Sequence, residues 1–544
     1  MTPSPGAAGR PVVVVTGGGG GIGAAVARDL GRRGTHVVTV DPLVSVDGAE
    51  VLPAPEETTA GQIVAAGGSA EASNLSVTDR SGVADLFARL VDRHGRLDGV
   101  VNVAGITRPT GFAKGTDEDW AAVLSVHLDG YLSVLAAALP LMAEAGRGRI
   151  VGVTSGSGWR AADAGAYSAA KRAVASLTWQ LGSTAPEGVA VNAISPIALT
   201  RMVTAALTRA GGGAAAKPGG TSKTGGLSLG AMPDPDELAP LAAHLVGPSV
   251  GLRGRILFAG GSEVATVEPP RLVEVVRTAG VGSIDAVLAT FADALVAAEA
   301  AQATTGGANP RFPGLFDATA PLTSVEGGRA ALIVTDRPEL GAAVAAGLHA
   351  VGVATEVVPA ASVERGVAGT GAVLDRAMAA HGGLDAVVVA TTLPTGGGDG
   401  WQAVLALHDG LVDLLHADAT WGRAAAERAT EERPMRVVHL VDAGSAGGRS
   451  RAQAAAQLAR MSRRATGDRV AAFAVALDAP AEVEAAAALA TRLATTADLA
   501  LAGAELAVGS GWLGLRSHPR PGTGLVFGGP DLPPWFDAVL GELP

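Results

Sequence analysis

Short valine-rich runs alternate with longer alanine-rich segments, and this alternation constrains the fold more than any other feature. The short runs lie at residues 12–15, 36–40, 99–103, 149–153, 189–194 and 255–259. Continuous apolar runs suit strands buried on both faces, and the intervening segments have helical period. The sequence therefore predicts an α/β fold with a doubly wound parallel sheet.

The same pattern occurs twice along the 544 residues. Asp98 and Asp385 are 287 residues apart, and WAAVLSVHLDG and WQAVLALHDG begin 281 residues apart. A chain of this length also exceeds one ordinary core. We predict tandem sheets, with a catalytic domain at 1–300, a linker at 301–328 and a second domain at 329–544. The glycine-, serine- and lysine-rich stretch 203–233 is interpreted as a mobile lid, with a disordered insertion as the open alternative.

Composition excludes several classes of function. A formal charge of −11 without a long basic run argues against nucleic-acid binding, and the absence of cysteine excludes disulfides and thiolate chemistry. No segment has the pattern of a signal peptide or a membrane span, so we expect a cytoplasmic protein. Histidines occur singly, without paired ligand spacing, and metal independence is predicted.

A glycine-rich turn, TGGGGGIG at residues 16–23, follows the first strand and opens a helix. In a Rossmann-like sheet, such a turn lets backbone N–H groups approach a pyrophosphate, which makes Gly17, Gly21, Ile22 and Gly23 candidate contacts. Asp41 ends the second strand, where a carboxylate would accept bonds from ribose hydroxyls and repel a 2′-phosphate. NAD is therefore favoured over NADP, although an ordinary turn aspartate before Pro42 has the same sequence pattern.

The stretch YSAAK places Tyr167 and Lys171 on one face of a helix. A cation near a phenol stabilises phenolate and lowers the tyrosine pKa, so the pair suits proton transfer; a surface i,i+4 pair is the structural alternative. Upstream, VTSGSG offers Ser155 as the donor that polarises a substrate oxygen, with Thr154 and Ser157 as substitutes.

Taken together, TGGGGGIG, the strand end NVAG, Ser155 and YSAAK resemble the short-chain dehydrogenase/reductase family. The resemblance implies that Tyr167 donates or accepts the proton, that Lys171 tunes Tyr167 and binds the nicotinamide ribose, and that Ser155 binds the substrate oxygen. It also implies further cofactor contacts at Asn74, Leu75, Asn102, Ala104, Gly105 and Pro196.

Three positions depart from the family pattern. Val103 replaces the second asparagine of NNAG, Ile197 replaces the glycine after Pro196, and His127 stands where asparagine supports a water relay. Imidazole can also hold a water, so His127 remains a catalytic candidate beside a purely structural reading. The segments VHLDG and SPIALTRM resemble the 3-hydroxyacyl-CoA dehydrogenase branch related to multifunctional enzyme type 2. This resemblance implies a 3-hydroxyacyl thioester substrate, with Thr200 near the nicotinamide amide.

The second half resembles a degenerate copy of the first. Its first turn, TDRPELG, lacks the glycine cluster, and both tyrosines of the chain, Tyr131 and Tyr167, precede it. Ser445 without an acid/base partner is interpreted as a relic. Because members of the family commonly pair through helices beside the active site, the second half is predicted to make the chain a pseudo-dimer, and two chains a homodimer of pseudo-dimers.

The sequence thus predicts an NAD-dependent oxidoreductase that interconverts a secondary alcohol and a ketone. One alternative is a non-catalytic NAD-binding scaffold or sensor, motivated by His127, Ile197 and the second half. Another is a ketoreductase for carrier-bound polyketide intermediates, which an NADP preference would indicate and Asp41 opposes.

Overall fold

The computed structural model describes residues 9–53, 55, 57–160, 163–209, 232–248, 250–278, 284–300, 329–392, 398–478, 482–527 and 531–542. Their strands are β1 (Val12–Thr16), β2 (His36–Val40), β3 (Ser69–Ser73), β4 (Gly99–Asn102), β5 (Gly148–Val153), β6 (Val189–Pro196), β7 (Ile256–Gly260), β8 (Glu263–Glu268), β9 (Leu272–Arg277), β10 (Arg329–Thr335), β11 (Val353–Pro359), β12 (Ala386–Thr391), β13 (Met435–Asp442), β14 (Val470–Leu477), β15 (Glu505–Gly509), β16 (Trp512–Arg516) and β17 (Arg520–Val526).

Helices cover the faces of both sheets. They are α1 (Gly21–Arg32), α2 (Thr59–Ala65), α3 (Arg80–His94), α4 (Asp117–Leu124), α5 (Gly130–Ala145), α6 (Gly165–Thr184), α7 (Arg201–Arg209), α8 (Pro235–Leu245), α9 (Ile284–Ala300), α10 (Pro338–Ala350), α11 (Gly366–His381), α12 (Trp401–Ala406), α13 (Leu411–Arg428), α14 (Ala446–Thr466), α15 (Val483–Thr495) and α16 (Phe536–Glu542).

The predicted α/β fold with two doubly wound, mainly parallel sheets is confirmed. The first sheet has the order β17-β8-β7-β6-β5-β4-β1-β2-β3, and the second has the order β11-β10-β12-β13-β14-β15-β16-β9. All six predicted strands are present within two residues of their expected bounds. The prediction missed β3, whose sequence SAEAS is polar and only partly buried because it forms the sheet edge.

Asp98 and Asp385, two landmarks of the predicted repeat, have the same bonding in their respective sheets. Asp98 accepts a hydrogen bond from Val12 N at 2.8 Å, and Asp385 accepts one from Ala330 N at 2.8 Å. In both sheets the backbone carbonyl of this aspartate also accepts a hydrogen bond from the neighbouring strand. In the first sheet, Arg149 N donates to the Asp98 carbonyl at 3.0 Å. Among the described residues, the parallel strands of the second sheet follow the same order as those of the first, without a counterpart of β3.

The two sheets exchange elements across the boundary predicted near residue 300. After β8 the chain leaves the first sheet, and β9 pairs with β16 of the second, where α9 also buries Phe291. In return, β17 pairs with β8, and α16 packs Phe536 into the core of the first sheet. Within the predicted lid, residues 210–231 lie outside the described residues, as does the whole predicted linker at 301–328.

A shared apolar core joins the two halves. Leu415 and Leu458 of the second half belong to the same buried cluster as Leu124 and Val174 of the first. The continuous helical segment Asp117–Ala145 that lines this core is long and apolar enough to cross a membrane by composition, yet 67% of its most apolar stretch is buried inside the protein. Core helices of soluble proteins share these properties.

Candidate active site

A cavity of about 1230 Å³ opens at the carboxyl ends of the parallel strands of the first sheet. Ligands of doubly wound sheets bind at this edge. The cavity brings together most of the predicted site residues: Gly17, Gly21, Ile22, Asp41, Leu75, Ala104, Gly105, His127, Ser155, Tyr167, Lys171, Pro196 and Thr200. Gly23, Asn74 and Asn102 lie outside its lining.

The glycine turn has the geometry of an anion cradle. Gly17 and Gly21 have φ angles of +67° and +53°, which favour glycine. A Cβ atom on Gly23 would lie 2.1 Å from the Gly17 carbonyl oxygen, so only glycine allows α1 to start this close to the turn. The N-cap, Gly20, has no capping side chain, and the first turn of α1 has no acidic residue. The free N–H groups therefore fit the pyrophosphate of a dinucleotide.

Asp41 is held beside this turn. Its carboxylate accepts hydrogen bonds from Gly19 N at 2.9 Å and Leu43 N at 2.8 Å. Sequence reasoning missed Arg201 on the other side, where a guanidinium nitrogen lies 3.2 Å from the position of a Cβ on Gly20. A cation at this distance suits a diphosphate, and the first residue of α7 supplies it.

Three of the predicted cofactor residues differ in burial and in hydrogen bonding. Asn102 is buried and accepts a hydrogen bond from Thr16 Oγ1 at 2.7 Å, which ties the ends of β1 and β4 together. Asn74 is exposed just after β3. Thr200 lines the cavity and its hydroxyl accepts from Val203 N at 3.3 Å at the start of α7.

Ser155 is the available hydroxyl of its segment. It precedes a 3₁₀ turn, Gly156–Gly158, and its Oγ accepts from Ser157 Oγ at 3.1 Å. Thr154 is engaged elsewhere, since its Oγ1 donates to the Lys171 carbonyl at 2.7 Å. Because Ser157 donates to it, Ser155 keeps its own proton for an oxygen in the cavity.

Lys171 and Tyr167 meet in the cavity as the YSAAK spacing predicts. Lys171 Nζ lies 5.6 Å from the centre of the Tyr167 ring and donates to the Val153 carbonyl at 2.6 Å. Burial lowers the pKa of Lys171 to about 7. Burial raises the pKa of Tyr167, while the hydrogen bond with Ser155 and the charge of Arg160 act to lower it. The expected lowering by lysine is therefore not seen, because desolvation outweighs the hydrogen bond with Ser155 and the charge of Arg160.

His127 lies in a π-helical turn, Ser125–Asp129, between α4 and α5. Its Nε2 is 2.8 Å from the Ile106 carbonyl, which can only accept, so Nε2 carries the proton. Nδ1 is buried without a partner among the described residues. The ring packs edge-on against Tyr167 at 4.9 Å. Burial, with the charge of Lys171, lowers the pKa of His127 to about 3, so the neutral ring offers a hydrogen-bond acceptor next to the cavity.

Two residues that the sequence analysis did not single out lie at the loop that carries Ser155, which we call the catalytic loop. Arg160 lines the cavity, and its buried Nε has no partner among the described residues. Gln457, a buried residue of α14, donates to the carbonyls of Ser157 at 2.9 Å and Arg160 at 2.8 Å. The second half thus fixes the loop that carries Ser155. Arg160 could have been found from its place between Ser155 and Tyr167, whereas no sequence signal singles out Gln457.

Comparison with known proteins gives one consistent family. The family model of the short chain dehydrogenase matches residues 11–210. A Mycobacterium tuberculosis protein named as a short-chain type dehydrogenase/reductase is 38% identical over 196 residues, which cover 35% of this chain and 68% of the relative. The short-chain reductase protein NovJ of Streptomyces niveus is 32% identical over 253 residues, or 46% of this chain and 92% of the relative.

A longer relative also matches. The peroxisomal hydratase-dehydrogenase-epimerase of Neurospora crassa is 32% identical over 260 residues, or 47% of this chain, and the match covers 26% of that protein.

Proposed function

Because this chain belongs to the short-chain dehydrogenase/reductase family, we propose that its first half interconverts a secondary alcohol and a ketone with NAD. The arrangement of Ser155, Tyr167 and Lys171 around one cavity carries the proposal. When bound, a nicotinamide cofactor supplies the hydride acceptor for oxidation and the hydride donor for reduction.

Tyr167 moves the proton on the substrate oxygen. In oxidation its oxygen accepts the hydroxyl proton of the alcohol as the C–O bond becomes a carbonyl; in reduction the phenol returns that proton to the forming alkoxide. Ser155 donates a hydrogen bond to the same oxygen and fixes its distance from Tyr167. The raised pKa of Tyr167 keeps the phenol protonated at neutral pH, which is the form that reduction requires.

Lys171 and His127 line the cavity next to the Tyr167 ring. An amine with a pKa near 7 is partly protonated at neutral pH and can donate to a ribose hydroxyl or to a water. The free Nδ1 of His127 can accept from that water, so imidazole replaces the asparagine of the family as an anchor for a proton path. His127 acts here as a neutral acceptor and not as a proton carrier, because its pKa is about 3.

The finer assignments belong to the proposal as well. Asp41 beside the glycine turn supports NAD, because its carboxylate would oppose a 2′-phosphate. The N. crassa relative is named as a hydratase-dehydrogenase-epimerase, and similarity to it supports a 3-hydroxyacyl thioester as the first substrate to test.

We assign the second half the role of a non-catalytic, degenerate partner that makes the chain a pseudo-dimer. Its helix α14 packs on α6 and bonds the catalytic loop through Gln457. Arg172, the neighbour of Lys171, pairs with the buried Glu505 of β15, which His518 also contacts at 3.0 Å. These contacts support a role in holding the first half's catalytic elements in place.

The first experiment measures the formation of reduced nicotinamide with NAD and NADP on a panel of 3-hydroxyacyl thioesters and simple secondary alcohols. Wild type is compared with Tyr167→Phe, which we expect to lower kcat by about 10²–10⁴-fold. Tyr131→Phe is the matched control, since Tyr131 is fully buried in α5 and lies outside the cavity lining.

Equal turnover by wild type and Tyr167→Phe would contradict the proposed chemistry. Folded wild type that binds NAD but turns over no member of the panel would favour the scaffold or sensor alternative. A clear preference for NADP would overturn the role given to Asp41 and would favour the ketoreductase reading.

A further inference from the structure

Three residues that are distant in the sequence meet at the edge of the first sheet. They are His36 at the start of β2, Glu71 in β3 and His94 at the end of α3. One potential ligand atom from each lies within 4.8 Å of the other two. The two imidazole rings are 4.5 Å apart, and His36 Nε2 is 4.0 Å from Glu71 Oε1. We call these three residues the edge cluster.

The edge cluster is remote from the catalytic cavity. His36 begins β2, whereas Asp41, just past the other end of this strand, lines the cavity. Five strand residues separate the two ends by about 16 Å. Metal binding at the cluster would therefore not touch the reacting atoms.

Both histidines of the edge cluster have an unsatisfied nitrogen. The Nε2 atoms of His36 and His94 are buried and have no hydrogen-bond partner among the described residues. A buried polar atom without a partner calls for a missing ion or water. The unpartnered Nε2 of His36 lies 4.0 Å from Glu71 Oε1. The other nitrogen of this ring, Nδ1, is 2.7 Å from Ser69 Oγ, a contact that fixes the ring's orientation.

Two positive charges, those of Arg93 and Arg10, act on His36 and oppose a cation at this site. Arg93 Nη1 donates to Glu71 Oε2 at 2.7 Å and leaves Oε1 facing His36. A metal must therefore share the Glu71 carboxylate with Arg93. This competition gives a test that leaves all three ligands in place.

We propose that His36, Glu71 and His94 bind a divalent transition metal such as Zn²⁺ in a structural site that fastens β3 and α3 to β2. Two imidazoles and a carboxylate suit Zn²⁺ and leave one tetrahedral position for water. Bonds of about 2.1 Å require the ligand atoms to close to about 3.4 Å from one another, which small side-chain rotations achieve. Fastening β3 matters because it is the polar, half-exposed edge of the sheet.

The test titrates the chelator-treated full-length protein with ZnCl₂ and follows heat release and thermal unfolding. We expect one Zn²⁺ per chain and a higher Tm at saturation. His36→Gln and His94→Gln should each weaken binding by about 10-fold or more and remove the Tm increase. Co²⁺ should give the visible bands of a four-coordinate ion in wild type and should not give them in His36→Gln or His94→Gln.

Two variants serve as controls. His381→Gln removes a histidine of the second half that also lies 4.0 Å from a glutamate, Glu356, at the end of the corresponding helix, and it should bind Zn²⁺ like wild type. Arg93→Met keeps every ligand and removes one of the two competing charges, so it should bind Zn²⁺ more tightly.

Absence of saturable Zn²⁺ binding, or binding that survives both His36→Gln and His94→Gln, would overturn the site. Arg93→Met that does not bind more tightly would overturn the placement of Glu71 among the ligands. None of these measurements uses turnover, so their outcome is separate from that of the proposed function.

Discussion

The turn after the first strand shows how differently the two halves use one topology. In the first half, Gly17 follows β1 and lines the cavity, and the N-terminus of α1 has no capping side chain. In the second half, Asp336 follows β10, and its carboxylate accepts from Thr392 N at 2.9 Å and Thr392 Oγ1 at 2.8 Å. Pro338 then starts α10. A carboxylate at this turn disfavours a bound anion, so the second half keeps the strand order while its first turn differs in charge from that of the first half.

Two histidines at corresponding positions of the predicted repeat also differ between the halves, in their hydrogen bonding. His127 and His408 stand 281 residues apart in VHLDG and ALHDG. His408 is fully satisfied, because Nδ1 bonds to the Val404 carbonyl at 2.7 Å and Nε2 bonds to Ser450 Oγ at 2.8 Å. His127 keeps Nδ1 free beside the cavity. A residue type can therefore persist while its chemical availability changes with its neighbours.

The comparison predicts that the largest loss of stability comes from the polar core of the second half. Arg451 is buried and forms two bonds with Asp418, at 2.6 and 2.7 Å. Asp418→Ala leaves that guanidinium buried and unpaired, and should lower the free energy of unfolding by about 3–5 kcal/mol in denaturant titrations. The double variant Asp418→Leu with Arg451→Met should recover most of the loss. A small loss in Asp418→Ala would show that this core is not a fixed scaffold.

The next largest effect is expected on kcat, and it should distinguish the alanine variant of Ser155 from that of Ser445. Ser155→Ala removes a donor to the substrate oxygen and should lower kcat by about 10²–10³-fold. Ser445 instead caps α14 by accepting from Gly448 N at 3.0 Å. Ser445→Ala should cost about 1 kcal/mol of stability with unchanged kcat. Steady-state kinetics and thermal unfolding of both variants test this, and a fall in kcat for Ser445→Ala would give the second half a catalytic role.

A smaller effect should come from Gln457, the positioning residue that links the halves. Gln457→Leu keeps the volume but leaves two loop carbonyls unpaired, so we expect kcat to fall about 10-fold while KM changes little. Gln457→Glu is the informative partner, because even a protonated carboxyl group has one proton and can replace only one of the two bonds, so it should rescue kcat at most in part. Wild-type kcat in Gln457→Leu would show that the loop carrying Ser155 is rigid without the second half.

The smallest predicted effect is a displacement of the pH profile. Burial raises the pKa of Tyr167, and the charge of Arg160 opposes the shift. Removing that charge in Arg160→Met should raise the pKa further. The pH at which oxidation gains activity and reduction loses it should then move upward in kcat/KM profiles, since oxidation needs the phenolate and reduction the phenol. A profile that moves downward would contradict the placement of Arg160 next to Tyr167.

The parallel strands and most of the residues that line the cavity could be predicted from the sequence, because both depend on local patterns. Valine runs report burial on both faces, and YSAAK places Tyr167 and Lys171 on one helix face through the helical period alone. Asn102 is a predicted cofactor contact, and the structure shows it bonded to Thr16. That bond depends on the register between β1 and β4, which no local pattern reveals.

By itself, the sequence determined the α/β class, the repeated strand pattern and the glycine turn, since these depend on hydrophobic period and on backbone freedom at single residues. Only the tertiary structure decided which half holds β9 and β17, which oxygen atoms Gln457 binds, and that His36 meets His94. The physical reason is that strand exchange and side-chain contacts across hundreds of residues depend on packing in three dimensions, which has no fixed spacing along the chain.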